Sequence, residues 1–305
     1  MVRGRRPRLH RETEMTQPLL VGKTCLITGA SKGLGYRIAR RFWSEGASLV
    51  LAVRDCQSVS TLVSDMKQLP EQSVVCLAMD LTDLHSVRSL VQRATDSRVD
   101  KIDVLVNNAA AIGPIGKAWT AASEDWEAAI IADLIAPAIV CNSVVPLMSR
   151  ITGGKIINLS GGGASGPRVN FSAYAAAKSG LVRFSETLAE EVRALGISVN
   201  CVAPGPLGTD MLAAIVAAGE KAAGEKEFAA AQKALRDSEA AMNKAVELIT
   251  FLASNRSDGV TGKLISAVWD NWEEFPDHLE EVANSDVYTL RRITGRDRGI
   301  TWCDR

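Results

Sequence analysis

Tyr174 and Lys178 stand one helical turn apart in YAAAK, inside the helical pattern FSAYAAAKSGLVRFSETLAEEVRALG (171–196). At i and i+4 their side chains share one helix face. An isolated phenol has a pKa near ~10, and a neighbouring ammonium stabilises its anion and lowers that value. Such a tyrosine can protonate a carbonyl oxygen as hydride reaches the carbon, or deprotonate an alcohol in the reverse direction. The pair is frequent on ordinary helices, so its meaning depends on what surrounds it.

The second candidate is TGASKGLG (28–35), which follows the apolar run KTCLITG. Gly29, Gly33 and Gly35 permit an abrupt turn and a close approach of a ligand to the backbone. A helix beginning near Gly33 points free N–H groups and the positive end of its dipole at the same spot, which suits a pyrophosphate. Ser31, Lys32 and Leu34 complete this candidate cofactor turn. It is not a phosphate loop of the nucleotide triphosphatase kind, because no Gly-Lys-Ser/Thr closes it. A site for NAD usually carries an acid at the end of the next strand, for the ribose 2′-hydroxyl. Here Val53 ends that strand and Arg54 follows. Arg54 and Lys32 together suit a 2′-phosphate, so the expected cofactor is NADP(H) over NAD(H). Asp55, one place further on, is the competing feature.

The elements that must hold these residues can be read from periodicity. Short β-branched apolar runs at 23–29, 47–53, 73–80, 101–110, 154–160, 197–205 and 262–268 read as strands. Helical patterns lie between them at 33–46, 83–94, 124–148, 171–196 and 243–254, with Thr82 expected to cap the second and a kink or interruption of the third expected near Pro137. Near-continuous apolar strands alternating with helices imply a parallel sheet covered on both faces. The expected fold is therefore α/β, a single doubly wound Rossmann-type sheet with ligands beyond the carboxyl ends of the strands. A single domain over 19–270 is expected, with a lid about 207–240. A basic N-terminal arm (1–18) precedes it and an extension (271–305) follows.

In this setting the chain resembles the short-chain dehydrogenases/reductases. The resemblance rests on TGASKGLG, Asp80-Leu81, NNAA (107–110), Trp126, NLS (158–160), YAAAK, VNCVAPGPLGTDM (199–211) and VTGKLISA (260–267), in that order. It implies Asp80 and Leu81 at the adenine, and Asn107 and Ala109 along the cofactor channel. It implies Pro204, Gly205, Leu207 and Thr209 at the nicotinamide amide. Tyr174 would be the acid/base, and Lys178 would hold the nicotinamide ribose and lower the tyrosine's pKa. Pairing of copies into a homodimer or homotetramer is implied by resemblance alone.

Two positions depart from the family pattern. Its active-site serine falls on Gly161, within SGGGASG, and its asparagine falls on Asp133. Ser160, Ser165 or the free N–H groups of the glycine run could replace the serine hydroxyl. The asparagine acts largely through its backbone carbonyl, which an aspartate keeps, while the added charge could alter Lys178 or the proton relay. Ser160 and Asp133 thus join Tyr174 and Lys178 as candidate catalytic residues. A working reductase of a small-molecule ketone or secondary alcohol is the leading expectation. A weakly active or inactive NADP(H)-binding relative and a 3-oxoacyl thioester reductase remain the alternatives.

Composition narrows the remainder. A formal net charge of zero over 305 residues argues against a general polyanion binder. Arg3, Arg5, Arg6, Arg8 and Arg11 are read as a flexible arm or an over-extended start rather than a nucleic-acid site. The apolar stretch 128–141 is broken by Asp133 and Pro137 and reads as a core helix, not a membrane span. Cysteines at 25, 56, 76, 141, 201 and 303 have no close spacing, which suggests reduced thiols, a cytoplasmic setting and no metal site. In 271–305, Trp272, Phe275, Leu279, Val282, Tyr288, Leu290, Ile293 and Trp302 are too many large apolar residues for a free tail. That segment is expected to pack on the domain or on a neighbouring subunit.

Overall fold

The computed structural model describes residues 17–66, 71–148, 153–300 and 302. The basic arginines of the N-terminus and Cys303 lie outside the described residues. The strands β1 (Thr24–Thr28), β2 (Ser48–Val53), β3 (Val74–Ala78), β4 (Val104–Asn107), β5 (Gly154–Leu159), β6 (Ile197–Ala203) and β7 (Leu264–Ser266) form one parallel sheet. Its seven strands run in the order β3-β2-β1-β4-β5-β6-β7. The order reverses direction between β1 and β4, and the crevice beyond their carboxyl ends is where such sheets take a ligand.

Alternation along each strand explains the apolar runs. Cys25 and Ile27 of β1 and Leu49, Leu51 and Val53 of β2 face one core. Leu26, Val50 and Ala52 face the other. Because both faces are covered, the middle positions of these strands are apolar, and the polar residues Thr24, Thr28 and Ser48 stand at their ends. One core lies under α1 (Gly33–Ser44) and α11 (Glu239–Ala253). The other lies under α3 (Leu84–Arg88), α4 (Leu90–Asp96), α6 (Ala136–Met148) and α7 (Ser172–Glu191). The second helical pattern is split at Ser89, and its cap is Asp83, which accepts the His85 N–H, rather than Thr82. Thr82 instead gives both its N–H and its hydroxyl to Asp80.

The long third pattern is one continuous rod, Ser123–Met148, in which α5 (Ser123–Ile130) and α6 are joined by a wide turn of π-helix, Ile131–Ile135. The interruption thus falls near Pro137, in the turn just before it. By length and composition the rod could cross a membrane, with mean hydropathy 2.0. Yet Ala136, Val140, Cys141, Val144 and Met148 are buried along its side. Its apolarity thus serves the core.

The thiol expectation needs one correction. Cys56 and Cys76 are joined in a disulfide, with Cα atoms 5.9 Å apart. Sequence distance concealed the pair. Cys76 lies on β3, which pairs with β2, and the turn after β2 brings Cys56 alongside. Cys25, Cys141 and Cys201 are free and buried.

The segment after β7 is fastened to the domain as far as Leu290, whereas Ile293 and Trp302, also expected to pack, are exposed. Trp272, Phe275 and Val282 are buried in the first core, and Trp272 donates its indole N–H to the Ala267 carbonyl. The Leu264 N–H reaches the Tyr288 carbonyl at 2.7 Å, and Glu186 of α7 accepts the Leu290 N–H.

Candidate active site

The glycine turn between β1 and α1 has the geometry of a cradle. Gly29 and Gly33 hold left-handed backbone, with φ of 71° and 57°. A Cβ on Gly29 would come within 2.9 Å of Ala109, and one on Gly35 would overlap the Gly29 carbonyl. These contacts let the start of α1 and the end of β4 close around the turn. Two residues that motif reading passed over staple it: the Asn108 amide donates to the Thr28 and Gly29 carbonyls, and the Thr28 hydroxyl accepts the Asn108 and Ala109 N–H groups. The first turn of α1 has no acid and no side-chain cap, so its N–H groups stay available for an anion.

Beside the turn lies a pocket of about 500 Å³ lined by Ser31, Lys32, Arg54, Asp55 and Ser58. Both cations expected near the ribose are therefore present, and no strand-end acid displaces them. Asp55 commits one carboxylate oxygen to the Gln57 N–H at 2.9 Å, capping the short turn after β2. Lys32 also pairs with Asp210 across from the loop after β6. Asp80 is held below the usual carboxylate range, chiefly by the N–H and hydroxyl of Thr82 and also by the charge of Arg54. Leu81 is half-buried beside it. The cradle, the open helix start and the cationic pocket fit a dinucleotide with an extra phosphate.

On the far side, Gly205 turns with φ of 87°, tight against Val268. Thr209 stands within contact distance of Gly33, so the loop after β6 meets the glycine turn. Pro204 is half-buried in that loop, and Leu207 is buried in the first core. Asn107 is placed differently from Ala109. Its amide donates to Asn158 at 2.9 Å, inside a buried chain that continues to Ser185. It braces the strand ends, and its side chain is spent on the interior.

Tyr174 and Lys178 lie on the buried face of α7, 5% and 2% exposed. Lys178 donates to the Leu159 carbonyl at 3.0 Å and lies 5.6 Å from the centre of the Tyr174 ring. Its counter-ion is Asp133, fully buried on the π-helical turn, with Nζ and Oδ2 3.3 Å apart. The other oxygen of Asp133 accepts the Ala111 N–H at 2.7 Å. The aspartate therefore engages Lys178 through its side chain. Burial raises the Asp133 carboxyl above the usual range, against the pull of Lys178 and Ala111. Burial works against the Lys178 cation, but Asp133 and Tyr174 outweigh it and hold the ammonium upward. Burial also pushes the Tyr174 phenol up; Lys178 opposes this, and Asp133 adds to it. The phenol is thus protonated through the neutral range.

Gly161 has a steric reason. A Cβ there would overlap the Tyr174 hydroxyl, so the phenol occupies the space that a serine side chain would fill. Ser165 is exposed, whereas Ser160 is buried and its hydroxyl has no hydrogen-bond partner among the described residues. A buried hydroxyl left unpaired is costly and open to a ligand atom. Sequence reading also missed Arg168. Its guanidinium stacks 4.2 Å from the centre of the Phe171 ring and 5.4 Å from that of Tyr174, and it pairs with Glu227 at 2.7 Å. Glu227 lies on α10 (Glu225–Arg236), which with α8 (Asp210–Ala218) and α9 (Glu220–Ala223) builds the segment read from the sequence as a lid. Leu212, Ile215, Ala231 and Ala234 of these helices pack with Phe171 and Tyr174 in one apolar cluster, against which Ile112 and Ile115 also lie.

The short chain dehydrogenase family profile matches residues 23–220. A 3-oxoacyl-(acyl-carrier-protein) reductase from Thermotoga maritima is 31% identical over 246 residues, which cover 81% of this chain and 96% of that one. A solved short-chain dehydrogenase/reductase from Burkholderia xenovorans is 30% identical with a TM-score of 0.67, over 81% of this chain and 95% of that one. A short chain dehydrogenase from Shigella flexneri, solved in complex with NADP, has the same fold at 23% identity and a TM-score of 0.70, over 83% of this chain and 99% of that one.

Proposed function

The chain is an oxidoreductase of the short-chain dehydrogenase/reductase family, and on that premise we propose that it reduces the carbonyl of a small molecule with NADPH. The observation that carries this reading is the buried Tyr174 phenol beside Gly161 after β5, with the Lys178–Asp133 pair one helical turn away. When bound, the nicotinamide supplies the hydride. The glycine turn holds the pyrophosphate on the start of α1. Arg54 and Lys32 receive the 2′-phosphate, and Lys178 steadies the ribose. Tyr174 gives its proton to the carbonyl oxygen. Ser160 donates its otherwise unpaired hydroxyl to that same oxygen. The protonated phenol is the form that donates in the reduction.

The cofactor half of this reading has a direct test. Arg54→Ala is expected to weaken NADPH by about tenfold, the scale of one exposed charge-assisted contact, and to leave NADH nearly unchanged. Titration by nicotinamide fluorescence separates the two. Equal losses for both cofactors would remove the 2′-phosphate assignment. The substrate half rests on Ser160. Ser160→Ala should lower kcat about tenfold with little change in KM, as expected for one hydrogen bond that tightens in the transition state. An unchanged kcat would leave Gly161 without a replacement.

The apolar cluster above Tyr174 favours a carbonyl flanked by hydrocarbon over a sugar. A 3-oxoacyl thioester is the second reading, supported by the activity named for the Thermotoga relative. Pairing of copies through the α5–α6 rod and α7, where Ile135 is exposed, completes the proposal.

A further inference from the structure

The turn that forms one wall of the cationic pocket is fastened covalently, and nothing in the reaction above uses that bond. Cys56 follows Arg54 and Asp55 directly and opens the short turn Cys56–Val59, which also carries Ser58. Cys76 lies on β3, the outer strand of the sheet. The disulfide between them ties the pocket wall to the sheet edge. The polar contacts of the turn are internal to it: Asp55 accepts the Gln57 N–H, and the Asp55 carbonyl accepts from Ser58. Its remaining anchors are apolar, through buried Val59 and, further along, Leu62. Those apolar anchors keep the region folded without the bond. They lie beyond Asp55 and Ser58, which would then be held only through the chain. Accessibility separates this pair from the other cysteines among the described residues. Cys56 and Cys76 are half-buried, while Cys25, Cys141 and Cys201 are enclosed.

We propose that Cys56 and Cys76 form a thiol–disulfide switch on the 2′-phosphate pocket, closed by oxidation and loosened by reduction. The proposal rests on the NADP(H) reading. In the closing step the two thiols lose two protons and two electrons to glutathione disulfide, which leaves as two glutathione thiols. In the opening step a dithiol reductant attacks the disulfide through a mixed disulfide and is itself oxidised to its own disulfide. The closed bond preorganises Arg54 and Ser58 around the phosphate and holds the turn in which the Asp55 carboxylate is engaged by the Gln57 N–H; preorganisation lowers the ordering cost of binding. NADH, which lacks that phosphate, should not sense the change.

The test uses the full chain after treatment with glutathione disulfide, after treatment with dithiothreitol, and as the Cys56→Ser/Cys76→Ser double variant. Mass spectrometry of alkylated peptides establishes the state of the pair. NADPH and NADH are titrated by fluorescence, and hydrogen exchange is followed over residues 54–62. NADPH should bind about tenfold more weakly to the reduced protein and to the double variant, a loss on the scale of one preorganised contact. NADH should be unchanged, and exchange over the turn should quicken. Failure of the pair to oxidise, or equal NADPH affinity in both states with the pair's state verified, overturns the switch while leaving the cofactor reading intact. Equal affinity for NADPH and NADH in the oxidised protein overturns the 2′-phosphate reading, and the switch with it.

Discussion

Tyr174→Phe is expected to lower kcat for carbonyl reduction by about 10²–10⁴-fold, the usual contribution of a positioned acid or base. The substitution removes only the hydroxyl. The ring keeps its place in the apolar cluster with Phe171, Leu212 and Ile215 and its stacking under Arg168. Folding and cofactor affinity should therefore survive, which a melting curve and an NADPH titration would verify. The pH profile provides a second reading of the same group. Burial raises the phenol above its ordinary value, so reduction should persist until the pH passes that raised value. Alcohol oxidation, which needs the phenolate, should rise only in the alkaline range. A reduction rate unaffected by the substitution would place the proton donor elsewhere.

The second large effect is expected at Asp133. Asp133→Leu leaves the Lys178 ammonium buried without a counter-ion, and breaking such a pair from one side costs about 3–5 kcal/mol of stability. Denaturant titration should show that loss. The double variant Asp133→Leu/Lys178→Met should recover a large part of it, since removing both charges leaves neither uncompensated. Asp133→Asn separates charge from shape. It keeps an oxygen for the Ala111 N–H and removes the anion that adds to the upward push of burial on the Tyr174 phenol. The phenol should then ionise at lower pH, so the rising limb of alcohol oxidation moves toward neutrality and reduction fails at a lower pH. A limb that moves the other way, or stays in place, would mean that Asp133 does not act on the tyrosine.

The strands and the glycine turn were legible in the sequence because each follows from a local constraint. A strand covered on both faces must be apolar along its buried length, as LVLAV of β2 is. A turn closed as tightly as that at Gly29 and Gly35 must lack side chains. What escaped depended on residues brought together by the sheet. Cys56 and Cys76 meet because β2 and β3 are neighbours. Arg168 gains its meaning from Glu227, on a helix whose apolar residues are too scattered to announce its inner face. The glycine at 161 was visible as a departure, but its cause, the Tyr174 hydroxyl filling that space, is a fact of packing. Asp133 was visible as an added charge near Lys178; only the fold shows that its carboxylate, fully buried, is the lysine's counter-ion.

The most direct measurement is NADPH oxidation by the native protein, followed by absorbance against alkyl ketones, aldehydes and 3-oxoacyl thioesters at neutral pH, with NADH run in parallel. The account predicts turnover with a hydrocarbon-flanked carbonyl or a 3-oxoacyl thioester, faster with NADPH than with NADH at limiting cofactor. NADPH binding with no oxidation by any of these classes would contradict it, and would leave the chain as a nucleotide-binding relative whose buried Asp133–Lys178 pair no longer serves catalysis.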